Sequence, residues 1–598
     1  MRTDSDSTAL RPSGAESSWR TRAFLPDPRL TFPAVIAERV EVSPSRVAFY
    51  EVGFLRREPI ATPYAFSELD AQVRGAAIAL ANEGVHAGDR VLLCVGGTAS
   101  FLSFFIAAQA LGAVPVPLPS ASDFQAPAAF RERIDGVMSD CEPRVVVVDS
   151  LRGIEPHTCA QSSLAFIDTS TRDFSPTGPV PSTFRYERSL HETALIQYTS
   201  GSTGSPKGVV VTHRNLTSNM RASTEGARFG PCDRSLSWLP LYHDMGLIGG
   251  LLLGLYIGID TFVMPPRSFV GRPDSWLRAM SRFKATFSCA PNFAYNVLAR
   301  RLPPGALDEI DLSNWRLAFN GAEPIDRATL EAFAARFEAS GLTAESMFPV
   351  YGMAECTLAV AFPTPGAPVR TDVVDRELLG RSGRATPVAA WSPAAVSFTS
   401  VGRAIPGHTV RILAPDGLEE LPERHLGEIA VTGPSVSPHY FRRDGRYGEP
   451  RKELRTGDLG YIANGDLYIV DRIKDLLIIS GRNFVPSDIE RVVCEVPGVR
   501  HGAVVAFAMR GTDGTDELYL VVGSEPRSTV DGDLRHRVAA IVQQRFGLSA
   551  RDIVVVKPGV VPRTSSGKVR RAACRELYER GGYSAEGGFR RSSQPPPA

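Results

Sequence analysis

YTSGSTGSPKG, residues 198–208, decides the fold. A loop this rich in Gly, Ser and Thr, closed by Pro206, Lys207 and Gly208, is built to wrap a polyanion. Glycine lets the backbone come close and turn its N–H groups inward. Thr199, Ser200, Ser202 and Thr203 supply hydroxyls, Gly201 and Gly204 supply the turns, and Lys207 adds a mobile positive charge. The apolar runs on either side, residues 194–196 and 209–211, predict strands, which makes the loop a strand-to-strand turn and not a flexible linker. It is not a Walker loop, because Lys207 is followed by Gly208 and a strand where that motif needs Ser or Thr and a helix. The same departure argues against a P-loop NTPase or a kinase.

Outward from the loop, the pattern is α/β. Ser67 opens an amphipathic helix carrying Leu69, Val73, Ala77 and Leu80. Strands are expected at 91–95, 114–116 and 145–148, with a helix around 104–111, an alternation that implies parallel pairing in layers. After Asp471 the pattern changes to a smaller α+β unit, with strands near 503–507, 518–522 and 553–556 and a helix at 534–546. The expected organisation is a polar N-terminus to residue 22, a large domain over 23–470, a hinge at 471–475, a small C-terminal domain over 476–580 and a low-complexity tail ending SSQPPPA. Residues 363–397, rich in Pro, Gly and Ala, read as an inserted excursion packed on the surface.

Bulk composition narrows the function. The chain has 598 residues and a net charge of +1, from 66 basic and 65 acidic residues, so it lacks the basic excess of a nucleic-acid or membrane-surface binder. The cysteines are scattered without metal-ligand spacing and point to a reducing cytoplasm. Residues 1–22 lack the apolar core of a secretory signal. The longest uncharged run, 245–259, is too short and too glycine-rich to span a bilayer and reads as a buried helix or turn-rich segment.

Four further stretches join the loop: NGAEP (320–324), YGMAE (351–355), RTGDL (455–459) and TSSGK (564–568). Together with 198–208, and in this order over about Phe24 to Tyr578, they resemble the adenylate-forming superfamily of acyl-CoA synthetases, peptide-synthetase adenylation domains and luciferases. The resemblance implies that Asn320, Gly321, Ala322 and Glu323 contact adenine through a strand-end turn. It also implies that Tyr351 stacks on adenine beside Gly352, that Glu355 reaches Mg²⁺, and that Asp458 accepts both ribose hydroxyls. It further implies that Arg472 reaches the nucleotide, that Lys474 is the interdomain hinge, and that Lys568 is the catalytic lysine bridging carboxylate and α-phosphate. Asp471 stands where many members have Gly, and Val485 where relatives often carry Tyr or His.

The substrate side is similar to one branch, the fatty acyl-AMP ligases. WLPLYHDMGL (238–247), APNFAY (290–295), the NGAEP turn and VVDRELL (373–379) within the insertion carry that likeness. The resemblance implies that His243 closes over the active site; a structural histidine is the alternative. The Gly/Leu run and APNFAY are candidate tunnel walls for an acyl chain, or simply core. The branch implies ATP and Mg²⁺ as cofactors, a fatty acid as substrate, and transfer to the phosphopantetheine thiol of an acyl carrier protein or of a carrier domain in a polyketide or peptide synthase. Its insertion hampers the C-terminal rotation that CoA chemistry uses, which argues against the alternative of a long-chain fatty acyl-CoA synthetase. A catalytically inactive docking module is the alternative of another class, and the presence of Lys568, Glu355 and Asp458 argues against it.

Overall fold

The structure is a computed structural model that describes residues 25–121, 127–150, 164–171, 174–199, 207–302, 309–415, 417, 419–442, 449–479, 482–511, 515–525, 531–563 and 569–583. The chain divides into two compact units. One comprises Met1–Gln197, Val211–Val270 and Arg278–Ser288; the other comprises Tyr198–Val210, Gly271–Leu277 and Cys289–Ala598.

The first unit realises the α/β expectation. Strands Val114–Pro117, Arg90–Cys94, Val145–Val148 and Ala165–Asp168 lie side by side in that order, and all pair in parallel. Their continuous apolar runs follow from burial on both faces. The predicted helix spans Phe66–Asn82 and buries Leu69, Val73, Ala77 and Leu80. The next helix begins earlier than expected, at Thr98, and ends at Leu111, where Gly112 takes the left-handed C-terminal position at φ 77°. A second sheet orders Arg234–Ser237, Asp260–Val263, Val47–Leu55 and Glu58–Ala65, parallel except for the last hairpin.

The uncharged run is a buried π-helix, Met245–Leu252, continued by the α-helix Leu253–Ile257. Its glycines seat it. A Cβ on Gly246 would lie 2.2 Å from the Pro240 carbonyl, and one on Gly254 would lie 2.0 Å from Thr261 Oγ1. Among the described residues no helix is long and apolar enough to cross a membrane.

In the second unit an aromatic core of Trp276, Tyr295, Trp315 and Phe333 supports the strand Leu317–Gly321, with edge-to-face ring centroids 5.0–5.9 Å apart. Tyr295, inside APNFAY, is therefore core: its hydroxyl donates to the Phe319 carbonyl at 2.8 Å. The strand pairs in parallel with Met347–Pro349. Beyond it, Thr409–Leu413, Gly427–Thr432, Leu454–Ala463 and Asp466–Arg472 form a sheet that is antiparallel throughout, so parallel pairing does not extend to residue 470. The insertion folds as a strand Thr371–Asp375, a helix Arg376–Ser382 and a returning strand Ala395–Thr399. Its Val374, Leu379 and Val396 pack with Tyr461 and Tyr468.

The C-terminal region matches its expectation. Val499–Arg510 and Asp516–Ser524 pair antiparallel, and Ala550–Val556 adds in parallel. Alternation on the first strand sends Val504 and Ala506 toward helices Pro486–Cys494 and Asp531–Phe546. Ala503, Val505 and Phe507 face helix Arg571–Glu579. Asp471 has a definite task here: its carboxylate accepts from Ser487 N at 3.3 Å, in the first turn of helix Pro486–Cys494, where negative charge is favourable. Val485, just before that helix, packs on the insertion's cluster.

Candidate active site

The glycine-rich loop leaves strand Thr193–Thr199 and returns through Lys207–Thr212, as the sequence predicts. Thr199 and Lys207 are placed at its two ends; Ser200, Gly201, Ser202, Thr203 and Gly204 lie outside the described residues, as does Lys568 with the rest of 564–568.

Just past the loop, the chain is zipped to a distant segment. Val209 bridges Tyr440, and Phe441 N donates to the Gly208 carbonyl at 2.6 Å. Ser437 Oγ donates to the Val210 carbonyl at 2.8 Å. This register puts the Tyr440 ring 5.5 Å from Lys207 Nζ and 5.1 Å from the Arg451 guanidinium carbon, two cation–π contacts on one aromatic. The Tyr440 hydroxyl donates to Glu355 Oε1 at 2.9 Å. Burial, reinforced by the Glu355 charge and this bond, pushes the Tyr440 phenol up to about 12, so it stays a donor at neutral pH. Tyr440 and Arg451 had no motif to announce them; only the long-range register brings them here.

A second cluster centres on Asp458, which is 6% exposed. Tyr351 OH donates to its Oδ2 at 2.7 Å, and Arg472 Nε donates to its Oδ1 at 3.0 Å. Burial raises the Asp458 pKa, while Arg472 and the Tyr351 hydroxyl pull it back. Burial also drives the Tyr351 phenol well above its usual range, with the Asp458 charge adding to the effect. The turn before Asp458 is fixed from the neighbouring strand: Gly457, at φ 74°, donates its N–H to Glu428 Oε1 at 2.9 Å, and Arg455 Nε donates to Glu428 Oε2 at 2.6 Å. Burial, then the charges of Arg472 and Lys207 working against the pull of Asp475, lower the Lys474 pKa. Lys474 therefore shares an electrostatic neighbourhood with Lys207.

NGAEP closes the strand that carries it. Asn320 is fully buried and donates from Nδ2 to Asn292 Oδ1 at 3.0 Å; its own Oδ1 has no hydrogen-bond partner among the described residues. Gly321 packs on Val350, Ala322 sits at φ 67°, and Glu323 Oε1 accepts from Phe293 N at 2.5 Å. Gly352 is required by contact: a Cβ there would lie 2.0 Å from the Leu358 carbonyl.

His243 belongs to the first unit. Its Nδ1 lies 2.7 Å from Asp244 Oδ1, which orients the ring, and Gln197 Nε2 donates to the adjacent Tyr242 carbonyl at 2.8 Å.

Chemically, the second unit gathers Lys207, Arg451, Arg472 and Lys474 around two carboxylates, a charge pattern that suits a polyphosphate. Among the described residues no group of three or more His, Cys, Asp or Glu could hold a metal. Glu355 alone fits Mg²⁺, which takes one or two carboxylates and completes its shell with water and substrate phosphates.

The AMP-binding enzyme family profile matches residues 36–441. A medium-chain-fatty-acid–[acyl-carrier-protein] ligase, JamA, of Moorena producens is 33% identical, over 86% of this chain and 90% of its own. A long-chain-fatty-acid–AMP ligase, FadD26, of Mycobacterium marinum is 32% identical over 93% and 98%. A structure from work on fatty acyl-adenylate ligases of E. coli and L. pneumophila superposes with a TM-score of 0.83 at 32% identity, covering 92% and 98%. With the strands that flank the loop, the Asp458 cluster and the folded insertion described, the chain belongs to the AMP-binding enzymes, in their fatty acyl-AMP ligase branch.

Proposed function

We propose that the protein activates a fatty acid with ATP and passes the acyl group to the phosphopantetheine thiol of an acyl carrier protein or carrier domain. The observation that carries this reading is the pairing of two anchors in one unit: Asp458 gripped by Tyr351 and Arg472, and Glu355 gripped by Tyr440 beside Lys207. The first suits a nucleoside, since an ionised carboxylate accepts from two ribose hydroxyls. The second suits the phosphates.

A carboxylate oxygen of the fatty acid attacks the α-phosphorus, the bond to the bridging oxygen breaks, and pyrophosphate leaves. Both reactants are anionic, so the barrier is largely repulsion and alignment. Lys568 bridges the two anions, and the 198–208 loop with Lys207 holds the departing pyrophosphate. Glu355 would hold Mg²⁺, which would supply charge neutralisation at the phosphates. In the second step the carrier thiol sulfur attacks the acyl carbon, the acyl–phosphate bond breaks, AMP leaves, and the thiol proton passes to solvent. His243 closes over the acyl site. Lys474 is the hinge for a C-terminal domain over 476–580, and the insertion restrains its rotation; the relatives that act on carrier proteins or form acyl-AMP support this choice of product.

Product analysis by mass spectrometry tests the reading. Protein, ATP, Mg²⁺ and a ladder of fatty acids are combined with either CoA or a phosphopantetheinylated carrier. Acyl-AMP and acylated carrier with little acyl-CoA are expected. Abundant acyl-CoA would replace this reading with that of an acyl-CoA synthetase. Lys568→Ala is expected to abolish adenylate formation while leaving ATP binding modestly changed; normal adenylation would remove Lys568 from its role.

A further inference from the structure

Arg451 is the group that the chemistry above leaves unused. Its Nη1 is buried and has no hydrogen-bond partner among the described residues. A buried guanidinium N–H without an acceptor is costly, and natural structures keep such a group only where something else satisfies it. Its backbone and its side chain are each held by one contact, and Lys207 shares the second. Its backbone N–H donates to the Pro438 carbonyl at 2.9 Å, which ties residue 451 to the segment paired with the strand after the loop. The guanidinium lies 5.1 Å from the centre of the Tyr440 ring. Lys207 Nζ lies 5.5 Å from that centre, so the phenol gathers two cations. Its hydroxyl is turned the other way, onto Glu355.

The arrangement sorts ligand chemistry. At the Asp458 end the donors and acceptors suit a nucleoside. At the Tyr440 end two cations and one carboxylate share a single aromatic support. A planar guanidinium with a free edge matches phosphate oxygens better than any neutral acceptor does. Nothing in the Asp458 cluster needs Arg451.

We infer that Arg451 is a further polyphosphate-binding residue, held by the Tyr440 ring so that its unpaired edge grips phosphate oxygens beyond the α-phosphate, the part of ATP that departs as pyrophosphate. Tyr440 is then a positioning residue twice over, for Arg451 through its ring and for Glu355 through its hydroxyl. The inference rests on the nucleotide reading of this site.

Calorimetric titration of the full-length protein separates the two. Wild type, Arg451→Lys and Arg451→Met are each titrated with ATP and with AMP in the presence of Mg²⁺, and pyrophosphate is added as a competitor of ATP. ATP affinity is expected to fall about 10- to 100-fold in Arg451→Met, the scale of a lost charge-assisted hydrogen bond. AMP affinity should stay within about twofold, which also reports that the site is folded. Arg451→Lys, which keeps the charge but not the fork, should fall between the two. Pyrophosphate competition should weaken in parallel with ATP. Equal loss for ATP and AMP, or no loss for either, would overturn the inference and leave Arg451 a packing residue. If wild type binds neither nucleotide, the reading of the site itself fails, and this inference falls with it.

Discussion

Replacing Arg376 by alanine tests whether the insertion restrains the C-terminal region. Arg376 is the Arg of the insertion's DREL, and its side chain is 12% exposed; its partner Asp488, on helix Pro486–Cys494, is 5% exposed. The guanidinium forks onto both carboxylate oxygens, the Nη2 arm at 3.3 Å, and Nη2 also donates to the Ala395 carbonyl at 3.1 Å. It lies 4.8 Å from the centre of the Phe546 ring on the neighbouring helix. Breaking a buried pair from one side costs about 3–5 kcal/mol. Asp488 keeps one cation, Arg491 at 2.7 Å, whose side chain is 35% exposed and so reaches water. That lowers the expected cost to about 2–3 kcal/mol. Because the pair joins the insertion to the C-terminal region, the loss falls on their docking and shifts that equilibrium roughly 30- to 150-fold. Limited proteolysis between 471 and 485 should then speed up, and acyl-CoA should appear at the expense of acylated carrier when both thiols are offered. The double variant with Asp488→Ala should cost less than the sum of the single changes by about 1 kcal/mol or more. Unchanged cleavage together with an unchanged product ratio in Arg376→Ala, or strict additivity in the cycle, would refute the reasoning.

Two other outcomes follow from the same structure. Tyr351→Phe removes a donor from the buried Asp458 and should weaken ATP binding by about 1–2 kcal/mol, read as a raised KM for ATP at a nearly constant KM for fatty acid. His213, 1% exposed at the start of a helix, has its pKa depressed by burial from 6.5 to about 4, against the pull of Glu192. The unfolded chain therefore takes up a proton on this residue that the folded chain refuses, so the stability it contributes is complete above pH 6.5 and is lost as pH falls toward 4. The loss is about 3 kcal/mol, and denaturant titrations at pH 7 and pH 4.5 should show a smaller difference in His213→Gln than in wild type.

What the sequence made legible was local. The loop at 198–208, the RTGDL turn and the NGAEP turn each concentrate their chemistry within a few residues, and the strands around them are marked by unbroken apolar runs. The C-terminal sheet was readable because its strands alternate between two packed faces. The unseen parts depend on distance. Tyr440 and Arg451 enter the site through a register with Val209 that no periodicity encodes. Arg376 meets Asp488 across 112 residues, and Asp471 reaches Ser487 only once two elements have docked. The paired strands Leu477–Ile479 and Arg482–Phe484 and the helix Pro486–Cys494 are too short to stand out by period alone.

The glycine-seated π-helix sets a limit on how this enzyme can change. Gly246, Gly250 and Gly254 stand one turn apart, and a methyl on any of them would strike Pro240, Ser237 or Thr261 within 2.0–2.4 Å. That side works like a toothed rack, in which every tooth is a bare backbone meshed with a neighbouring element. A shift of one residue would drive leucine or methionine into the mesh, so the segment has one seating and cannot slide to a near alternative. Changes of side-chain volume in this segment are then confined to positions such as Leu247, Ile248, Leu251 and Leu255, while the glycine side stays as it is.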